Sequence, residues 1–199
     1  MSAAPKLKMT PQEYLVRERL AEFKSEYYRG EVFAMAGASA AHSLITVNIT
    51  AELRTQLKGG PCLVFNNDMR VKVSPTGLYT YPDATVVCEE PTFEDEIFDT
   101  LLNPRVIVEV LSDSTEKYDR GDKFRQYRNL ASLQEYVVVS QTEAVVETFV
   151  RKPDDSWSLS TFAGMETTLA FGSIPLRIPL REVYAGVKFP AEKALDQAT

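Results

Sequence analysis

The sequence predicts a single α/β domain: a central mixed β-sheet flanked by helices. Three observations carry that expectation. The chain has 199 residues, with 44% hydrophobic and 25% charged, which suits one soluble domain with a full core. Three apolar runs, Asp83–Cys88, Val106–Leu111 and Glu135–Ser140, are apolar on both faces and read as internal strands. The linker from Leu111 to Glu135 carries one helical pattern, which makes a right-handed parallel crossover.

The elements follow in order. Residues 1–8 read as a loose leader. Thr10, Pro11 and Glu13 form a helix start, with cap, first-turn proline and capping-box glutamate, for a helix from Pro11 to about Glu22. Residues 23–28 read as a connection. Glu31–Met35 is a short strand between Gly30 and Gly37. Ser39 caps a second helix over about Ala40–Lys58, with Leu44, Ile45, Val47, Ile49, Leu53 and Leu57 as its apolar side. Gly59-Gly60-Pro61 ends it. Cys62–Phe65 and Met69–Val73 are strands, the second with one wet face.

Residues 89–103 hold six acidic side chains and read as a solvated loop. After the 106–111 strand, a helix is expected over about Asp119–Leu130, with Phe124, Tyr127 and Leu130 or Ala131 facing the sheet. Ala144–Arg151 and Trp157–Phe162 look like a hairpin. A covering tail follows, with a turn of helix near Leu180–Tyr184, and residues 190–199 are expected to be flexible.

Net charge is −6, which argues against coating nucleic acid by charge alone. No apolar run is long enough for a membrane helix, and the first residues lack a signal core, so a cytoplasmic protein is expected. Cys62 and Cys88 match no metal spacing and read as buried free thiols. There is no glycine-rich phosphate loop and no G-x-S-x-G.

Four groups can carry chemistry. Asp83 follows Tyr81-Pro82, and proline sets an extended backbone with no amide to donate, so Asp83 opens a strand. It is either a strand-edge aspartate or a ligand facing a cleft. Glu109 lies between Val108 and Val110, where a carboxylate is costly unless paired, protonated or bound to metal. Alternation sets Arg105, Ile107, Glu109 and Leu111 on one face, and Val106, Val108 and Val110 on the other. A buried ion pair with a lysine or arginine would also explain it. Lys123, on the following helix, can reach Glu109's face or remain a solvated helix lysine. Arg120, Arg125 and Arg128 around it either meet phosphates of nucleic acid or form only an exposed helix face. His42, the sole histidine, and Glu26 and Glu31 are auxiliary candidates.

Together, Tyr81-Pro82-Asp83, Val108-Glu109-Val110-Leu111-Ser112, Asp119, Lys123, Tyr127 and Glu135-Tyr136 resemble the Uma-two family of bacterial restriction-endonuclease-like proteins, within the PD-(D/E)XK nuclease superfamily. Glu26, Gly30-Glu31, Met35 and His42 extend the resemblance, which spans about Met9 to Val150. It implies a restriction-endonuclease-like core and a Mg²⁺ or Mn²⁺ ion held by Asp83, Glu109 and the carbonyl of Val110. The superfamily lysine stands two residues after the glutamate, where this chain has Leu111, so the relocated lysine maps to Lys123. The implied activity is hydrolysis of DNA phosphodiester bonds. Fold-level analogy adds a homodimer. The alternatives are an inactive nuclease-fold module that binds nucleic acid or oligomerises, and a structural domain whose Glu109 pairs with Lys123 or Arg105.

Overall fold

The computed structural model describes residues 8–112 and 115–190. The flexible ends expected at 1–8 and 190–199 fall almost wholly outside these ranges. Helix α1 spans Pro11–Glu18, and its capping box is formed: Thr10 Oγ1 accepts from the Glu13 amide, and Glu13 Oε2 accepts from the Thr10 amide. It is shorter than expected. Leu20 and Phe23 stay exposed, so nothing rewards a longer helix. Instead the Glu18 carboxylate accepts from the Ser25 amide and turns the chain back.

That return is a strand where a connection was expected. Strand β1 (Ser25–Tyr28) pairs with β2 (Glu31–Ala34) through a two-residue Arg29-Gly30 turn. Both turn residues have positive φ, 50° and 90°, the geometry that matches strand twist in tight hairpins. Helix α2 (Ala40–Leu57) follows, capped by Ser39. It buries Ile45, Ile49, Leu53 and Leu57 at four-residue spacing, while Leu44 and Val47, expected on the apolar side, face outward.

The next strands are β3 (Leu63–Asn66), β4 (Arg70–Val73), β5 (Leu78–Thr80), β6 (Ala84–Val87), β7 (Thr100–Leu101) and β8 (Val106–Val110). A helical segment then runs as α3 (Glu116–Tyr118), a π-helical turn (Asp119–Lys123) and α4 (Phe124–Tyr127). The chain closes with β9 (Glu135–Val139), β10 (Val145–Arg151), β11 (Trp157–Ala163), a small β12–β13 hairpin (Thr168–Ala170, Arg177–Pro179) and α5 (Leu180–Val183).

Eleven of the described strands form two mixed sheets, and β12 and β13 pair separately. One has the order β2-β1-β5-β4-β7 and the other β11-β10-β9-β8-β6-β3. The expected parallel crossover is present: β8 and β9 run parallel, Val106 opposite Glu135 through Val110 opposite Val139. The expected terminal hairpin is β10–β11.

The alternation read in β8 also holds. Val106, Val108 and Val110 enter a core with α2 and the tail, built with Ile45, Ile49, Val137, Ile178 and Leu180. Ile107 and Leu111 enter a second core against the five-stranded sheet and α4, with Val71, Leu101, Tyr127 and Leu133. The six-stranded sheet is thus covered on both faces, which is why its middle strands carry almost no polar residues. A third cluster, Tyr14, Leu15, Tyr27 and Tyr79, seats α1 on β1 and β5.

Two further expectations fail for physical reasons. Cys62 and Cys88 form a disulfide, not two free thiols. Leu63 pairs with Val87, so the antiparallel register sets the cysteines opposite one another across β3 and β6. The 89–103 segment is not merely solvated. Asp95 and Asp99 clasp Arg19 at 2.7 and 2.8 Å, Glu94 accepts from Tyr79 at 2.8 Å, and Thr100–Leu101 is buried as β7 beside β4. Its acids neutralise cations that other elements present.

Candidate active site

Glu109 is the centre. Strand β8 carries it into the second core at 4% exposure, and three elements bring partners to it. From the π-helical turn, Lys123 Nζ reaches Glu109 Oε1 at 2.9 Å. From α4, the Tyr127 hydroxyl donates to the same oxygen at 2.7 Å. From β1, Glu26 Oε1 lies 3.1 Å from Lys123 Nζ and also accepts from the Thr80 hydroxyl. Asp119, four residues before Lys123, completes the surround of the ammonium at 3.5 Å. One buried lysine therefore faces three carboxylates. The π turn widens the helix by one residue at this point, a distortion that clusters at functional sites. Tyr136 anchors the turn by donating to the Asp119 carbonyl at 3.1 Å.

Asp83 joins from the adjacent strand. Ala84 pairs with Val108 in the antiparallel β6–β8 ladder, so Asp83 stands across from Glu109. Its Oδ2 accepts from the Val110 amide at 2.7 Å, which fixes the carboxylate at the strand end as Tyr81-Pro82 implies. His42 Nε2, from the first turn of α2, is 3.4 Å from the same oxygen. A cleft of about 560 Å³, lined by His42, Thr46, Arg54 and Asn67, opens beside it.

The electrostatics follow from this crowding. Burial pushes the Glu109 carboxyl up to about 8; Lys123 opposes the rise, while Asp119 and Asp83 add to it. Burial alone would lower Lys123, but Glu109, Glu26 and Asp119 outweigh it and hold the ammonium well above its usual value. Asp119 is raised, by burial first. For His42, burial disfavours the charged form, yet Asp83 and the Val110 backbone more than compensate, so its value moves up. The site is a pocket of negative charge that retains protons and cations.

The donor set fits a hard divalent ion. Asp83, Glu109 and the Val110 carbonyl are oxygen donors at one strand end, and Mg²⁺ commonly takes one or two carboxylates while keeping several waters. Among the described residues, no three His, Cys, Asp or Glu side chains form a ready-made metal cluster.

The residues expected at the site divide cleanly. Asp83, Glu109, Lys123, Glu26 and His42 are brought together. Glu31 is not: it is exposed on edge strand β2, and no ion pair or hydrogen bond links it to the cluster among the described residues. Arg120 is held by Glu116 at 2.9 Å and by Glu147, so its charge is spent within the protein. Arg125 and Arg128 face a different cleft. Arg105, the other partner considered for Glu109, instead donates to the Ser173 carbonyl at 3.0 Å. Asp119 and Tyr127 emerge as part of the site. Both already stood in the family-like pattern, and Tyr127 lies four residues after Lys123, one turn along the same face.

Residues 11–178 match the family model Uma2, described as "Putative restriction endonuclease". The chain belongs to the Uma2 family. It is 36% identical to uncharacterized protein slr1290 of Synechocystis sp. over 94% of this chain and 97% of that one. It is 37% identical to sll1609 of the same organism, over 82% and 92% respectively. A crystal structure from Anabaena variabilis, described as "a putative nuclease belonging to DUF820", superposes with a TM-score of 0.73 at 17% identity. That match covers 88% of this chain and 97% of the other. At that identity the likeness concerns fold, and it places this Uma2 chain in the same mixed α/β architecture. No helix among the described residues is long and apolar enough to cross a membrane.

Proposed function

We propose that this Uma2 protein is a divalent-metal-dependent endonuclease that hydrolyses phosphodiester bonds of DNA, with Asp83, Glu109 and Lys123 as its catalytic residues. One observation carries the reading. Glu109 lies buried in a central strand, across from Asp83, with Lys123 2.9 Å from its carboxylate. A structural domain whose Glu109 only pairs with Lys123 would show the same 2.9 Å contact; the further carboxylates of Glu26 and Asp119 on that lysine favour the enzyme, because a buried ion pair is weak evidence of a stabilising role.

Asp83, Glu109 and the Val110 carbonyl would hold Mg²⁺ or Mn²⁺, which when bound polarises water and offsets charge on the phosphate. The chain's own residues divide the remaining work. The Val110 amide and His42 keep the Asp83 carboxylate aimed at the strand end. Tyr127 fixes the rotamer of Glu109. Lys123 stays an ammonium, so it cannot take a proton from water; it orients groups by donating hydrogen bonds and supplies positive charge near the phosphorus. Glu26 and Asp119 hold that ammonium in place. A second copy of the chain would bring a second such site to the nucleic acid.

The test is cleavage of plasmid and single-stranded DNA with Mg²⁺, with Mn²⁺ and with chelator. Metal-dependent cutting is expected, and it should fall at least 100-fold in Asp83→Asn and Glu109→Gln. Full activity in Asp83→Asn overturns the assignment. A second reading, a non-cleaving nucleic-acid-binding or oligomeric module, draws on the fact that Lys123 already balances the carboxylates. Calorimetric titration separates the two: Mn²⁺ binding that disappears in Glu109→Gln supports the enzyme, and no binding supports the module.

A further inference from the structure

A cleft of about 650 Å³ lies between the Arg29 turn, the far end of α4 and the β10–β11 hairpin. Four arginines line it, Arg29, Arg125, Arg128 and Arg151, against one lining carboxylate, Asp155. That is a local excess of three positive charges in a chain whose net charge is −6. Three of the guanidiniums lie over rings: Arg29 over Tyr28 at 5.0 Å, Arg128 over Phe124 at 5.6 Å, and Arg151 over Trp157 at 5.0 Å. Stacking orients each fork before any ligand arrives. Among the described residues Arg125 pairs only with Asp122, the two side chains being 69% and 64% exposed, a weak contact that a phosphate can displace. Tyr28 and Trp157 put aromatic surface into the same wall.

The cleft adjoins the carboxylate cluster. Tyr28 lies two residues after Glu26 on β1, about 7 Å along the strand. Gln126, in the cleft wall, lies three residues after Lys123, about 5 Å along the helix, and donates to the Tyr28 hydroxyl at 3.1 Å. A phosphate chain with one bond at Glu109 and Lys123 would meet this cleft next.

We propose that the cleft is the docking groove for a single-stranded nucleic-acid segment flanking the cleaved bond, with phosphates at Arg125 and Arg128 and bases against Tyr28 and Trp157. It rests on the nuclease reading of the neighbouring cluster. A basic groove with interleaved aromatic rings suits single strands, whose bases are free to stack; the width of a duplex would keep its bases away from these rings. Arg125 and Arg128 thus keep the nucleic-acid role expected of them, Arg120 loses it, and Arg29 joins, while Arg151 donates to the Arg128 and Leu130 carbonyls and holds the wall together.

Trp157 is the only tryptophan, so its emission reports the cleft directly. The full chain is titrated with an oligothymidylate of about 12 nucleotides in chelator, at about 50 and 200 mM salt, beside a blunt duplex of equal length. Expected results are a change in Trp157 emission on binding and at least five-fold preference for the single strand. Arg125→Glu/Arg128→Glu should bind at least ten-fold more weakly, with the salt slope reduced by about 1.4 for two lost phosphate contacts. Both positions are exposed, and an unchanged melting curve checks folding. Unchanged emission at saturation, equal affinity for the duplex, or unaltered binding by the double variant overturns the proposal. Binding is read without metal, so it is independent of cleavage. Groove binding with no metal-dependent cutting would sink the nuclease reading alone. Cutting that ignores the double variant would sink the groove alone.

Discussion

Lys123→Met separates a built electrostatic site from a passive ion pair. The ammonium has only 7% of its side chain exposed and faces Glu109, Glu26 and Asp119 at 2.9, 3.1 and 3.5 Å. At an effective dielectric near 20, each contact of about 3 Å is worth roughly 5 kcal/mol of attraction, and desolvation takes several of those back. Removing one partner of such a buried group usually costs about 3–5 kcal/mol, because the remaining charges stay buried without compensation. For a chain of this size that lowers Tm by about 6–20 °C. The pH dependence is the sharper sign. Glu109 and Asp119 are already raised, and without Lys123 only the hydrogen bonds from Tyr127 and Thr115 oppose the rise, so the folded variant binds more protons than its unfolded chain. Where the folded state holds more protons, stability falls as pH rises. The loss should therefore be small near pH 5, where the carboxyls can protonate, and large near pH 8. Mg²⁺ or Mn²⁺ should recover part of it by binding the vacated carboxylates. Thermal melts by circular dichroism at both pH values, with and without metal, read all three effects. A variant that melts within about 2 °C of the parent at pH 8, with no pH dependence of the difference, would refute the claim that Lys123 neutralises a strained acidic pocket.

Three further outcomes follow from the packing. Reducing the Cys62–Cys88 disulfide, or replacing both residues with serine, opens a cross-link over a sequence separation of 26 and should cost about 3 kcal/mol; an unchanged Tm under reductant would contradict it. The Arg19 guanidinium holds the Asp99 carboxyl down at about 2, against an unfolded value near 3.9, so its stabilisation is complete above pH 4 and is lost as pH falls through 2. After solvent screening this is worth about 1 kcal/mol, and urea melts of Asp99→Asn should show a shallower loss of stability over that acid range. Gly172→Ala would place a Cβ 2.8 Å from Val150 Cγ2, at the turn whose amides bond the buried Glu135 carboxylate, and should cost about 1–3 kcal/mol. Val150→Ala in the same chain should restore part of the loss, and additivity of the two substitutions would show that the clash is not the cause.

Much of this architecture was open to a reading of residue patterns, and the exceptions share a cause. Helix α2 has clear end signals in Ser39 and Gly59-Gly60-Pro61, the strand–helix–strand unit and the β10–β11 hairpin have clear apolar patterns, and all three are present. What residue patterns do not reveal is short or depends on partners. Strand β1 has four residues and no apolar alternation of its own; it exists because β2 and β5 pair with it. The disulfide depends on the register of β3 against β6, which neither cysteine reveals alone. The acids of 89–103 look solvated until Arg19 and Lys72 arrive from distant segments. The site divides the same way. Asp83 and Glu109 stand out because each breaks a local rule, a carboxylate inside or at the end of an apolar strand. Glu26 breaks no rule, and only the fold brings it to Lys123.

The displaced lysine shows how packing and chemistry share one strand face. The position two residues after Glu109 points the same way as Glu109, and Leu111 fills it at 3% exposure, within the core that includes Ile107 and Leu133. A lysine there would have to bury its ammonium beside those apolar groups or strain towards Glu109. The chain keeps leucine for the core and brings the ammonium from the helix above, and the π turn sets Lys123 beside Asp119 and within reach of both glutamates. Exchanging the two residues, Leu111→Lys with Lys123→Leu, tests whether the point in space or the point in the chain matters. If space decides, the exchanged protein should recover metal-dependent cutting relative to Lys123→Leu alone while melting lower than the parent, because Leu111 leaves a packed position. Recovery of neither activity nor metal binding would mean that the carboxylates of Glu26 and Asp119, which only the helical lysine touches at once, are as necessary as the ammonium itself.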